Sequence, residues 1–342
     1  MGPRVIRSLV LTAVSLAALS APAPGGGAPA AGTRLGAFDL EAHRGGRALR
    51  PENTLPSFAN ALSMGVDTLE LDMGVTSDEA IVVSHERGLN PDLARAPDGR
   101  YVPAPGIPFV TLTLAQVRQY DVGQLRPGSA YAARFPEQRS MPGTRIPTLA
   151  EVFELVRRSG DAHVRLNIET KIDPHHPDES PGPERFVALV LDLLRREHFS
   201  DRVMIQSFDW RTLRLIQQRA PAIPTVYLTQ QQPPDANVFA DEPSPWTAGF
   251  DPRNYGHSVP RTVKAAGGKI WSPFYGDVDR HSVEEAHGLG LAVVVWTVNS
   301  EQDMARLIDL GVDGIISDRP DLLRAVASSK GLPLPRPAPV SP

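Results

Sequence analysis

The chain has 342 residues, 41% of them hydrophobic, with a formal net charge of -4 and no cysteine. That length suits one large α/β domain or two ordinary ones, and the apolar share is enough for a sizeable core. The charge excludes a general basic field for nucleic acid, and the missing thiols exclude disulfides, thiolate metal sites and a Cys-linked lipid anchor.

The N-terminus reads as an export signal. Arg4 and Arg7 precede a short apolar run over 9–19, and small residues follow, with Ala21-Pro22-Ala23 or Ala28-Pro29-Ala30 as cleavage points. Residues 1–30 are therefore expected to be a signal peptide and Ala/Pro/Gly linker, and the mature protein to be periplasmic or secreted. No stretch of the mature chain reaches the roughly 18 apolar residues of a membrane span.

Strands are then predicted at 38–42, 66–74, 81–85, 164–170, 203–208, 225–228, 269–271, 291–298 and 314–316. Helices are predicted at 55–64, 114–120, 149–158, 184–196, 210–219, 259–266, 282–287, 301–310 and 322–328. Most of these strands are continuous apolar runs, as in a parallel sheet covered on both faces. The β–α units number about eight, and no GxGxxG or GxxxxGK[ST] loop opens the first one. Both points favour a (β/α)8 TIM barrel, a single domain over residues 35–328. The Pro- and Gly-rich segments 87–112 and 229–257 read as long loops at its C-terminal face. Residues 329–342, GLPLPRPAPVSP from Gly331 on, read as an extended, mobile tail.

In VDTLELDMGVT, Glu70 and Asp72 are two apart in a strand and point to one face. Such a pair is most often a solvated edge. In a central parallel strand, two adjacent buried carboxylates repel each other, and a hard divalent cation removes that cost. VRLNIETK puts Asn167, Glu169 and Lys171 on one face of a later strand, so Glu70, Asp72 and Glu169 make a candidate oxygen cage for one Ca²⁺ or Mg²⁺.

His43 and His85 each end an apolar run, where an imidazole can exchange a proton near neutral pH. Arg44 offers a fork suited to a phosphate or carboxylate, and Gly45-Gly46 allow close backbone approach. Glu52 and Asn53 can reach back into the mouth, and Thr54 can cap the helix that starts at Leu55. Trp296 falls at the mouth side of a late strand, as core or as a wall for an apolar or polyol ligand. Gln206 and Phe208 share one strand face, Ser317-Asp318 ends the last strand, and His175-His176 read as solvated rim.

Together, HRG at 43–45, ENT at 52–54, the E-x-D of Glu70 and Asp72, the strand-ending His85, the E-x-K of Glu169 and Lys171, WTVN at 296–299 and GVDGIISD at 311–318 resemble the glycerophosphodiester phosphodiesterase family. The resemblance spans about residues 38–327. It implies a (β/α)8 barrel that hydrolyses glycerophosphodiesters to glycerol 3-phosphate and an alcohol with one Ca²⁺ or Mg²⁺. By match, His43 and His85 would be the acid/base pair, Arg44 would hold the phosphate with Lys171 beside it, and Glu70, Asp72 and Glu169 would hold the metal. Glu52 would join the metal or glycerol shell. The family commonly has His-Asp where this chain has His85-Glu86, which leaves the role of Glu86 open.

The expected partner is a small glycerophosphodiester, with no nucleic acid and no stable membrane span. Two alternatives keep the barrel: a phospholipase D-like enzyme acting on lysophospholipids or sphingomyelin, and a phospho-polyol binder without turnover. Oligomeric state, preferred headgroup and native metal are not encoded in these motifs.

Overall fold

Polar and apolar side chains alternate through the strand Thr68–Val75, yet every residue in it is buried. Leu69, Leu71 and Met73 pack outward into the main hydrophobic cluster, and Thr68, Glu70 and Asp72 point the other way. A strand that is buried on both faces and acidic on one belongs in a closed barrel. The computed structural model describes residues 37–342 and the first two residues of the chain. The expected export signal and linker lie outside the described residues.

Eight parallel strands form the sheet: β1 Asp39–Ala42, β2 Thr68–Val75, β3 Arg165–Thr170, β4 Val203–Ser207, β5 Thr225–Thr229, β6 Ile270–Pro273, β7 Ala292–Val295 and β8 Gly314–Ser317. Each pairs with the next, and β8 pairs with β1, so the sheet closes. The helices α1 Leu55–Met64, α2 Leu149–Arg158, α3 Pro183–Arg196, α4 Trp210–Arg219, α5 Val259–Ala265, α6 Arg280–Gly288, α7 Glu301–Leu310 and α8 Pro320–Ser329 follow the strands in turn. This is the (β/α)8 barrel expected from the sequence. Helix α2 illustrates the local code. Leu149, Val152, Phe153 and Val156 recur at helical spacing and are buried, and Thr148 with Glu151 closes a capping box.

The barrel interior is divided. On the β4–β8 side it is apolar, filled by Met204, Val226, Ile270, Ala292, Val294 and Ile316. On the β1–β3 side it is polar, with Asp39, Glu41, Thr68, Glu70, Asp72, Asn167 and Glu169 all buried. Gly314 sits at the tight join, where a Cβ would meet the Asp39 Cβ at 2.8 Å.

Three sequence expectations change. Residues 81–85 are not a barrel strand: Ile81–Val83 pairs antiparallel with the end of β2. Thr76 Oγ1, accepting from the Ala80 amide, helps close the turn between them. The segment from there to α2 is an excursion with its own small core, including Val82, Phe109, Val117 and Ile146. Within it the helix expected at 114–120 is shorter, Leu114–Val117. The tail is extended but docked rather than mobile. Arg324 Nη1 donates to the Pro335 carbonyl at 2.8 Å, the Ala338 amide donates to the Leu62 carbonyl at 2.8 Å, and Val340 packs on the main core. Among the described residues, no helix is long and apolar enough to cross a membrane.

Candidate active site

Directly after β1 the chain turns through His43–Gly45. Arg44 adopts a left-handed conformation, φ 51°, which costs a non-glycine residue on the order of 1–3 kcal/mol. Hydrogen bonds offset that strain. The Arg44 amide donates to Glu70 Oε2 at 2.7 Å, and its carbonyl accepts from the Asn53 amide at 3.0 Å and from Ser57 Oγ at 3.2 Å. Gly45 must be glycine, since at its φ of +78° a Cβ would lie 2.5 Å from Ser57 Oγ. Thr54 caps α1 in a reciprocal box with Ser57. The loop thus ties β1, β2 and α1 together while lifting His43 and Arg44 to the rim.

Glu70, Asp72 and Glu169 bring one carboxylate oxygen each to within 4.8 Å of one another, all buried. The β2–β3 register sets this directly, with Asp72 beside Glu169. Burial, then the neighbouring Asp72, pushes Glu70 well above the usual carboxylate range. Burial raises Glu169 to about 7 against the pull of Lys171, whose Nζ is 2.8 Å from Glu169 Oε1. Asp72 goes the other way: burial is outweighed by His85, Arg44 and Lys171, and by Asn53 Nδ2 donating at 2.9 Å. Asp72 Oδ1 is buried with no hydrogen-bond partner. An all-oxygen trio with an unpartnered carboxylate oxygen fits a hard divalent cation.

His43 and His85 line one cavity of about 1050 Å³, together with Arg44, Glu70, Glu169 and Trp296. Asp72 and Lys171 lie just beneath, through their contacts to Arg44 and Glu169. His43 Nδ1 is 2.5 Å from Asp318 Oδ1. Arg47 and His43 hold Asp318 far below the usual carboxylate range despite its burial. An ionised carboxylate only accepts, so the His43 Nδ1 carries the proton and Nε2 is left toward the cavity, 3.9 Å from Glu70 Oε2. Burial lowers the imidazole to about 4, with Arg47 and Arg44 adding to it and Asp318 opposing.

His85 reaches the same rim by a different path, on the antiparallel return from β2, with the Ser84 amide bonded to the Asp72 carbonyl at 3.0 Å. Its Nδ1 is 2.9 Å from Glu86 Oε1, so the longer Glu86 side chain folds back to support its neighbour. Burial, then Arg44 and Lys171, lowers His85. The two supporting carboxylates differ in setting: the Asp318 side chain is 2% exposed and that of Glu86 is 50%.

Glu52 Oε1 accepts from Arg44 Nη1 at 2.8 Å, and its Oε2 accepts from the Tyr131 hydroxyl. Trp296 lies beyond the end of β7, edge-on to Phe208 and Phe274, and donates through Nε1 to the Ser272 carbonyl at 2.9 Å. Together these rings form an aromatic wall. Gln206 is drawn inward, donating to Glu70 Oε1 at 2.7 Å. His175 and His176 are exposed, as a rim position requires, and His175 lies edge-on to Trp246. The loop segments 87–112 and 229–257 both contribute to the cavity wall, through Asn90 and through Gln230, Asn237 and Trp246.

Sequence reasoning gave no role to Asp318, Arg47 or Tyr131. The first had a usable signal, an acid immediately after a barrel strand. The other two had none, because Arg47 meets Asp318 only across the closed β8–β1 seam and Tyr131 meets Glu52 and Arg47 only once the excursion folds over the rim.

The glycerophosphoryl diester phosphodiesterase family model matches residues 43–322. A glycerophosphodiester phosphodiesterase from Caldanaerobacter subterraneus subsp. tengcongensis is 31% identical over 283 residues, covering 82% of this chain and 94% of the relative. A solved Silicibacter pomeroyi structure assigned to the glycerophosphoryl diester phosphodiesterases is 35% identical with a TM-score of 0.77, covering 86% of this chain and 95% of that one. An Oleispira antarctica phosphodiesterase, solved with the product sn-glycerol-3-phosphate, shares the fold at 21% identity and a TM-score of 0.62, covering 85% of this chain and 97% of its own. With a match that runs from His43 at the rim into the last helix, the chain belongs to the glycerophosphoryl diester phosphodiesterase family.

Proposed function

We propose that this protein hydrolyses glycerophosphodiesters to glycerol 3-phosphate and an alcohol, with one Ca²⁺ or Mg²⁺ held by Glu70, Asp72 and Glu169. The observation that carries the reading is the pairing of two carboxylate-supported imidazoles with three converging acids at one cavity. Family membership supports it, as does the product bound by the Oleispira antarctica protein. A phosphodiester is anionic and repels a nucleophile, and the bound cation would neutralise that charge.

The chain's own residues do the rest. Arg44 and Lys171 add fixed positive charge for the phosphate. Arg44 Nε is buried 3.4 Å from Asp72 Oδ2, so the guanidinium also balances the charge of the acidic trio. His43 and His85 exchange protons through Nε2, because each Nδ1 is engaged by a carboxylate. Trp296 with Phe208 offers an apolar surface for the carbon skeleton, and Glu52 acts in the glycerol or metal shell. The decisive experiment measures release of glycerol 3-phosphate from a panel of diesters with Ca²⁺, Mg²⁺ or chelator. Release that requires the metal is expected; a protein that binds diesters but releases nothing would be a phospho-polyol binder instead.

The phospholipase D-like alternative calls for an exposed apolar patch at the mouth to seat an acyl chain. Among the described residues the exposed large hydrophobics are Met1 and Met141, and neither lines the cavity. The half-buried rings of Phe208, Phe274 and Trp296 on the cavity wall keep this alternative open to test, so the diester panel includes a lysophospholipid. The Arg4–Arg7 and 9–19 pattern supports export to the periplasm or medium with a signal peptide cleaved within residues 1–30. N-terminal sequencing of the fractionated protein tests it; an intact residue 1 in the cytoplasmic fraction would refute it.

A further inference from the structure

The short helix Ala130–Ala133 lies in the excursion between β2 and α2, and Arg134 follows it on the wall of the same cavity. Its place is fixed by Tyr131, whose hydroxyl donates to Glu52 and accepts from Arg47 Nη1 at 3.2 Å. The Arg134 guanidinium rests over the Tyr131 ring at 5.6 Å and the Phe135 ring at 5.5 Å. Arg47 rests on the same Phe135 ring at 4.9 Å.

Two guanidiniums on one ring repel each other, and only one has a counter-charge. Arg47 Nε donates to Asp318 at 2.7 Å, and Arg44 has Glu52. Among the described residues Arg134 makes no ion pair. Glu137, the nearest acid in sequence, accepts from Arg319 Nη1 at 3.2 Å instead. On the other cavity walls Glu86 is engaged by His85, and Asp173 by Arg87 and His176. Asp235 is exposed, on the separate loop after β5.

We infer that Arg134 binds a second anionic group of the substrate, a carboxylate or phosphate carried by the diester's organic part, so that the enzyme favours glycerophosphodiesters with an additional negative charge. This rests on the hydrolase reading above. An arginine fork stacked on two aromatic faces is pre-oriented for a planar anion and loses little freedom on binding it.

Glycerophosphoserine and glycerophosphoethanolamine differ by one carboxylate, and kcat/KM for each tests the inference. The wild type is expected to favour the serine diester. In Arg134→Gln the serine-to-ethanolamine ratio should fall about tenfold, the scale of one lost charge-assisted contact. Arg134→Lys should recover part of it, and Arg139→Gln, off the cavity wall, should leave the ratio unchanged. An equal fall for both diesters would assign Arg134 to the shared phosphate and overturn the inference. So would a wild-type preference for the ethanolamine diester. Absence of turnover on both would sink the hydrolase reading and this inference with it.

Discussion

Asp318 Oδ1 and His43 Nδ1 lie 2.5 Å apart although 275 positions separate them in the chain. The contact exists because β8 closes on β1, with Ser317 in register with Ala42. It makes the barrel seam itself part of the candidate catalytic apparatus. Asp318 is held in turn by Arg47 at 2.7 Å and by Asn299 Nδ2 at 2.8 Å, so neither the carboxylate nor the imidazole can rotate freely.

Asp318→Ala should keep the barrel and lower kcat by about 10²-fold, the lower end of general acid–base contributions, since His43 loses both its tautomer and its orientation. Steady-state kinetics beside circular dichroism checks this. Near-wild-type kcat in a folded variant would remove Asp318 from the reaction.

His43→Ala and His85→Ala should each lose about 10²-fold or more in activity while retaining metal binding. Calorimetric metal titration of each variant separates this outcome from collapse of the site. Retained turnover in either one would cancel that histidine's assignment.

Metal affinity should depend on Glu70 and Asp72 and on pH. Glu70→Gln or Asp72→Asn is expected to weaken it, and unchanged titrations in both would rule out the cage. Without metal, the folded Glu169 titrates near 7, above its ordinary 4.5, with burial as the main cause. A raised carboxyl favours the folded state below about 4.5 and loses that contribution as pH rises toward 7. The metal takes the proton's place, so its effect should grow over the same window. The increase in Tm on adding Ca²⁺ or Mg²⁺ should be larger at pH 8 than at pH 5.5, and a pH-independent shift would contradict the shared-proton picture.

Glu86→Gln should be milder than Asp318→Ala, about tenfold or less in kcat, because the Glu86 side chain is half exposed and water can replace it. A larger loss than for Asp318→Ala would mean that His85 depends more on its carboxylate than the exposure implies.

The parts of this protein written in local sequence were legible in it. Period-two alternation in TLELDMGV put Glu70 and Asp72 on one face, and the same rule put Asn167 and Glu169 together; the structure keeps both pairings. Helix α1 begins where Thr54 allows its cap. The run 81–85 misled, because continuous apolar residues look alike in a parallel strand and in an antiparallel return. His85 arrives at the rim all the same, since a hairpin brings the chain back to the level of Asp72. The tail misled as well: proline-rich composition fixes an extended backbone but says nothing of what it rests against, here Gly65, where a Cβ would be 2.7 Å from the Pro335 carbonyl oxygen.

By itself the sequence determined the barrel, the acids that converge and the histidines at strand ends, because strand and helix periods are local and dictate which side chains share a face. Only the tertiary structure decided what those groups touch. The Asp318–His43 contact needs the seam to close, and Tyr131 reaches Glu52 and Arg47 only when the excursion folds over the rim. Such contacts depend on the path of the chain through space, which no spacing of residues along it records.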